Sequence, residues 1–405
     1  MGLEITDRFD EAVHAMGLGR RYRVNASEWP NSLVAQVESL ARFIRDELAQ
    51  EVPAGVAVPD ILVGVVDDPS FNAHAFLHDG HPVVGINYGA LILVHALSQR
   101  LFSQRDFCRW VGDARKEEAA REFTPLCDDA RTYMRAVIKD RTGTRPVDQD
   151  RRKAAELLAG LATHFLVAHE MGHILCGHLG WLNQHGCFEA AEATALLDDS
   201  SRALSSQALE WDADAFAMHN VLGLTLALAD GAEASDPTLP GPKIVRTPEE
   251  ALQIAMLCGM VMLGVFLPPA PAVDEWSLLS HPPAGVRVGL HMLAAHQSLL
   301  VGGRTTVIST TTDRPGWAVG FSQMIFRNIW RALGQADRDD ELRSSFGPSG
   351  QDHLKKIMEQ WAQIYPEVRR YSYFGVDATA TPAWKKGSRG SRTSVGVVGA
   401  PRRTP

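Results

Sequence analysis

The chain is poor in the pieces that several protein classes require. It holds five cysteines in 405 residues (Cys108, Cys127, Cys176, Cys187 and Cys258), an odd number with no C-x-x-C pair. That usage argues against a cysteine-zinc site and a secreted disulfide framework, so reduced thiols in a cytoplasmic setting are expected. There is no G-x-S-x-G elbow and no G-x-x-x-x-G-K loop. The common serine-hydrolase and phosphate-cradling readings therefore fall away. The opening Met1-Gly2-Leu3-Glu4 carries charge early and leads into no apolar run of the secretory kind. Net positive charge is lacking as well. The formal charge is −8, and Lys385 to Arg403 holds six basic residues and no acidic one, so the remainder is more acidic still. An acidic body excludes nucleic acid as the expected partner.

What is present reads as an ordinary globular protein: 45% hydrophobic and 22% charged residues. The length suits one large domain or two modest ones. One apolar stretch, Ala251 to Leu267, is broken only by Gln253 and two glycines. At about 17 residues it lies at the short limit for a membrane span, so a buried core helix is expected, with a membrane-associated chain as the alternative.

Apolar spacing places helices over residues 1–50, about 90–101, 151–177 and 206–228. Thr247-Pro248-Glu249-Glu250 reads as a helix start, with a Thr cap, Pro at the first position and acids in the first turn. Residues 61–66 and 81–86 read as strands of a small antiparallel sheet, the second introduced by the turn signal Asp79-Gly80. Residues 103–150 read as an insertion, 231–246 as a loop, and 321–370 as one or two amphipathic helices ending at Pro366. The expected division is an N-terminal helical region (1–57), a central domain (58–302), a C-terminal helical region (303–372) and a disordered basic tail (377–405).

The strongest chemical signal is His169-Glu170-Met171-Gly172-His173, in the middle of an otherwise apolar helix. Residues four apart share a helix face, so His169 and His173 can reach one ion, and Glu170 can meet a water there without ligating. Three titratable groups in an apolar helix would be costly to bury without a partner, which favours ligation over core histidines. A catalytic zinc needs a third protein ligand. His178 lies nine residues after His169, and the ten-residue metzincin position is Leu179, so that pattern fails by one. Glu210 is the better third ligand. Asp214, four residues on, is placed to accept the N–H of a ligating histidine. Asp212 is expected on a solvated helix face, and His178 at a helix end or behind the ligands.

At this point the chain resembles the gluzincin zinc metallopeptidases, in particular the HtpX and CAAX-prenyl-protease family, which pairs H-E-x-x-H with a downstream E-x-x-x-D. Ser280-His281-Pro282-Pro283-Ala284-Gly285-Val286-Arg287 is similar to that family's S-H-P-x-x-x-x-R segment, and Asn72-Ala73-His74-Ala75-Phe76 to its N-A-x-A-F segment. A more distant similarity is to bacterial phage-exclusion proteases that carry the same helix.

The resemblance covers roughly residues 58–295. It implies an α+β, mostly helical fold with a zincin-like core, a small sheet packed on the H-E-x-x-H helix and one catalytic Zn2+. It also implies a protein or peptide substrate, with Glu170 as general base and His281 beside the substrate carbonyl. Arg287 would brace the site, and Asn72 would sit on an edge strand that aligns the substrate backbone. The alternative class is a zinc-stabilised binding protein without catalysis.

Overall fold

The structure, a computed structural model, describes residues 2–23, 31–49, 58–119, 123, 145–186, 189–191, 199–232, 244–266, 272–301, 317–334 and 339–374. Two helices lead, α1 (Gly2–Ala15) and α2 (Asn31–Ala49), followed by strands β1 (Leu62–Val66), β2 (Ala73–His78) and β3 (His81–Asn87). Next come α3 (Tyr88–Phe102), α4 (Gln149–Leu175), the short α5 (His178–Gln184), β4 (Glu189–Ala191) and the 33-residue α6 (Ser200–Ala232). The remainder is helical: α7 (Pro248–Phe266), α8 (Ala284–Val301), α9 (Trp317–Leu333), α10 (Asp339–Phe346) and α11 (Pro348–Val368).

The fold is therefore α+β and mostly helical, and its sheet is mixed rather than antiparallel. The strand order is β1-β3-β2-β4. The expected pair, β1 and β3, runs parallel, from Leu62 against Val83 to Val66 against Asn87. The reason is β2, which lies between them in sequence and forms an antiparallel hairpin with β3. Asp79 (φ 48°) and Gly80 (φ 76°) supply the left-handed backbone that a two-residue hairpin turn requires. The expected edge position of Asn72–Phe76 is also corrected. β4 pairs antiparallel with β2 over His74 to Phe76, so the outer side of β2 is occupied by the chain itself.

The central helices α3, α4, α6 and α7 pack on several sides because they have little polar face, while α1, α2, α9, α10 and α11 lie on them with one face exposed. From Leu161 to Leu175 every residue of α4 is buried, and α4 contacts α2, α3, α6 and α7. α7 contains the long apolar stretch and is packed into the core against α4, α6 and α8. Thr247 Oγ1 accepts the Glu250 N–H at 3.2 Å, so its cap forms as expected. No helix among the described residues is long and apolar enough to cross a membrane. One continuous hydrophobic cluster runs from Val37 on α2 to Leu342 on α10. A second cluster gathers Trp181, Trp211, Trp276 and Trp361 around α6 and α11.

Two further expectations change. Residues 317–368 form three helices, and Pro366 lies inside α11 instead of ending it. Proline near the last turn removes only one late backbone bond, and buried Ile364, Tyr365 and Val368 hold that turn in place. Of the expected insertion, residues 103–119 wrap the fully buried Arg151. Its guanidinium donates to the carbonyls of Phe102, Gln104, Phe107, Cys108 and Val111 at 2.8–3.1 Å. The tail 377–405 and most of the 231–246 loop lie outside the described residues.

Candidate metal centre

The site is made where α4 crosses α6. Gly172 permits the crossing: a Cβ there would sit 3.2 Å from the Ala213 Cα and 3.3 Å from the Phe216 ring. Glycine facing alanine brings the two backbones close, so residues next to the contact or one turn from it meet across the helices. These are His169 and His173 on α4 and Glu210 on α6.

Their ligand atoms cluster closely, each imidazole facing a different oxygen of the Glu210 carboxylate. His169 Nε2 is 3.1 Å from His173 Nε2. His169 Nε2 is 3.3 Å from Glu210 Oε2, and His173 Nε2 is 3.3 Å from Glu210 Oε1. Bonds of ~2.0–2.1 Å to a tetrahedral zinc would separate its ligands by roughly 3.3 Å, so the donor set fits such an ion in both chemistry and spacing. All three residues are buried. Burial lowers the His173 pKa to about 4, opposed by Glu210, which leaves its imidazole neutral and able to ligate. Burial works against the Glu210 charge, but His281, His173 and the hydrogen bond of His169 hold its carboxyl well below the usual carboxylate range.

No family model, curated protein or solved structure matches this chain.

Behind these three residues lies a second set of contacts. His169 Nδ1 is 3.0 Å from Asp214 Oδ1, as the spacing on α6 led us to expect. Asp214 is also clamped by Arg287, whose Nε and Nη2 donate to Oδ2 at 2.8 Å and to Oδ1 at 2.7 Å. Burial penalises the Asp214 charge, yet Arg287 and His291 outweigh it and hold this carboxyl well below its ordinary range. Arg287 thus contacts the cluster through Asp214, with Nη2 3.8 Å from Glu210 Oε2. His281 is part of the same cluster, its Nε2 3.2 Å from Glu210 Oε2 and its Nδ1 3.0 Å from Ser280 Oγ. Glu170 is buried one residue beyond His169.

Asn72 stands apart at the start of β2. Its Oδ1 accepts the Ala73 N–H at 3.0 Å, and its carbonyl accepts the Asn87 N–H at 3.1 Å.

Two participants, His291 and Asp212, were missed or misread in the sequence. His291 on α8 places Nε2 3.0 Å from Asp214 Oδ2. It reaches that position over Gly259, where a Cβ would fall 2.5 Å from the His291 ring. Asp212, expected on a solvated face, is 6% exposed and lies 3.1 Å from His178 Nε2. The reason is that α6 is enclosed by α4, α7, α8 and α11, so it has almost no face to give to water along this stretch. His178 stands behind the ligands as expected, with Nδ1 3.0 Å from His173 Nδ1. Its approach depends on Gly177, whose φ of 93° reverses the chain between α4 and α5.

A cavity of about 630 Å³ opens onto His173, Glu210 and His281. Trp181 and Leu182 of α5, Leu209 of α6 and Ile364 of α11 line its apolar part, and Arg202 and Glu367 contribute charge. The three groups are therefore reachable from a space of the size that accepts a ligand.

Proposed function

We propose that the chain is a zinc-dependent metallopeptidase of gluzincin type, built on a zincin-like core, that hydrolyses peptide bonds of a protein or peptide substrate. The observation that carries this reading is the meeting of His169, His173 and Glu210 at 3.1–3.3 Å, with His173 and Glu210 on the wall of a cavity and Glu170 next to His169 in the chain. The spacing matches a tetrahedral zinc, and a structural site would have no use for the added carboxylate.

A zinc ion held by these three residues would supply Lewis acidity, lowering the pKa of water toward about 7 and polarising the scissile carbonyl. Glu170 would take a proton from the attacking water and deliver it to the leaving amine. His281, beside Glu210 and on the cavity wall, would donate to the oxygen that gains charge. Asp214 would hold His169 in the tautomer that presents Nε2, and Arg287 with His291 would keep Asp214 ionised. Substrate side chains would enter between α5, α6 and α11. Strand addition to β2 has no place over His74 to Phe76, where β4 sits.

The test is the pair Glu170→Gln and Glu210→Ala, assayed for zinc content and for cleavage of a fluorescently labelled unfolded protein. Glu170→Gln should keep its zinc and lose hydrolysis by at least a hundredfold, and Glu210→Ala should lose zinc. Zinc without hydrolysis in the unaltered chain would indicate the zinc-stabilised binding protein instead.

A further inference from the structure

The ligand atoms of Cys176, His178 and Asp212 lie within 4.8 Å of one another, all buried, directly behind His173. Their residue types suit a second metal ion, but their hydrogen bonds tell against one. His173 can offer Nε2 to a metal only if its proton sits on Nδ1, and that atom is 3.0 Å from His178 Nδ1. The facing nitrogen of His178 must then be an acceptor, so the His178 proton is on Nε2, where it meets Asp212 Oδ2 at 3.1 Å. A metal on His178 Nε2 would move that proton to Nδ1 and set two N–H groups against each other at 3.0 Å. Occupation of the first position therefore disfavours the second. The Cys176 thiol hydrogen-bonds Asp212, and its pKa is pushed well above the usual thiol range by burial and by that carboxylate.

We infer that Asp212 and His178 are positioning residues, a hydrogen-bonded chain from Asp212 through His178 that fixes the ring orientation and tautomer of His173. It plays for the second histidine the part that Asp214 plays for the first. The inference rests on His169, His173 and Glu210 holding the ion. Each ligating imidazole is then backed by a carboxylate: directly for His169, and through one more imidazole for His173. The extra ring is needed because Asp212 points from α6 toward α5, where the reversal at Gly177 has carried His178.

The experiment uses the full chain loaded with Zn2+ or with Co2+, comparing His178→Gln, His178→Leu and Asp212→Ala. Zinc affinity is read by competition with a chelator, metal stoichiometry by elemental analysis, and ligand geometry by the visible spectrum of the cobalt form. Glutamine can accept from His173 and donate to Asp212 at once, so His178→Gln should bind zinc within a few-fold of the unaltered chain and keep its cobalt spectrum. His178→Leu should bind roughly 10–100-fold more weakly, with a shifted spectrum, as loss of such outer partners does elsewhere. Asp212→Ala, which retains the ring of His178, should fall about tenfold and serves if the leucine variant fails to fold. Unchanged affinity in both His178→Leu and Asp212→Ala would overturn the inference while leaving the first site intact. Two zinc ions per unaltered chain, reduced to one in His178→Gln, would also overturn it in favour of a second metal site. No zinc in the unaltered chain would remove both readings.

Discussion

Arg287 and Asp214 meet as a two-pronged pair at 2.7 and 2.8 Å, both side chains shut off from solvent. The pair lies behind the His169 imidazole and joins α8 to α6. Removing the cation would leave a buried carboxylate facing only imidazoles, the expensive way to break a buried pair. Arg287→Leu should lower the stability of the metal-free chain by about 3–5 kcal/mol, read by urea denaturation, and weaken zinc binding with it. Arg287→Lys should recover only part of either, because an ammonium cannot reproduce the planar fork.

Gly172 and Gly259 should tolerate substitution differently. At Gly172 an alanine would meet neighbours at 3.2–3.3 Å, tight but yielding, whereas valine would force α4 away from α6. Gly172→Ala should cost little zinc affinity and Gly172→Val at least tenfold. At Gly259 even a methyl group falls 2.5 Å from the His291 ring, so Gly259→Ala should displace His291 from Asp214 and destabilise the chain by about 1–3 kcal/mol. Chelator competition and urea denaturation separate the two effects.

Arg151 holds five carbonyls of the 102–111 segment and lies against the Phe102 ring. Arg151→Met would keep the apolar stem but leave those buried acceptors without a donor. A loss of at least ~3 kcal/mol is expected from unpaired polar groups of this kind. Proteolysis should then cut first within the 102–119 segment, which mass mapping of the fragments would reveal.

Acid should destabilise the metal-free chain well before its carboxylates titrate. His164 is 1% exposed, neither ring nitrogen has a hydrogen-bond partner among the described residues, and burial lowers its pKa to about 4. Between an ordinary value of about 6.5 and 4, the unfolded chain binds this proton and the folded chain does not. The stabilising contribution is therefore complete above pH 6.5 and is lost as the pH falls toward 4, to the extent of roughly 3 kcal/mol. His353, lowered to about 4 by burial and by Lys356, acts with the same sign. His164→Leu should flatten the dependence of the urea midpoint on pH over this range.

The legible part of the site was the part written in helical spacing. His169 and His173 four apart, and Glu210 and Asp214 four apart, fix shared faces whatever the rest of the chain does. Arg287 could be singled out only by its place after Ser280-His281-Pro282. The parts that were not legible depend on what surrounds each helix. Asp212 looks solvated when α6 is considered alone, and its burial follows from helices as remote in sequence as α11. His178 becomes a neighbour of His173 only through a left-handed glycine, and His291 only where Gly259 lets another helix approach. The sheet failed for a similar reason: alternation identifies strands, but β2 between β1 and β3 decides which pairs run parallel.

The most direct measurement is X-ray absorption at the zinc edge on the zinc-loaded full chain. The account predicts one zinc per chain, with two imidazole nitrogens and one carboxylate oxygen from the protein and no sulfur. A sulfur ligand would place the ion at Cys176, and a chain that takes up no zinc would leave His169, His173 and Glu210 as a buried polar cluster with no metal to hold.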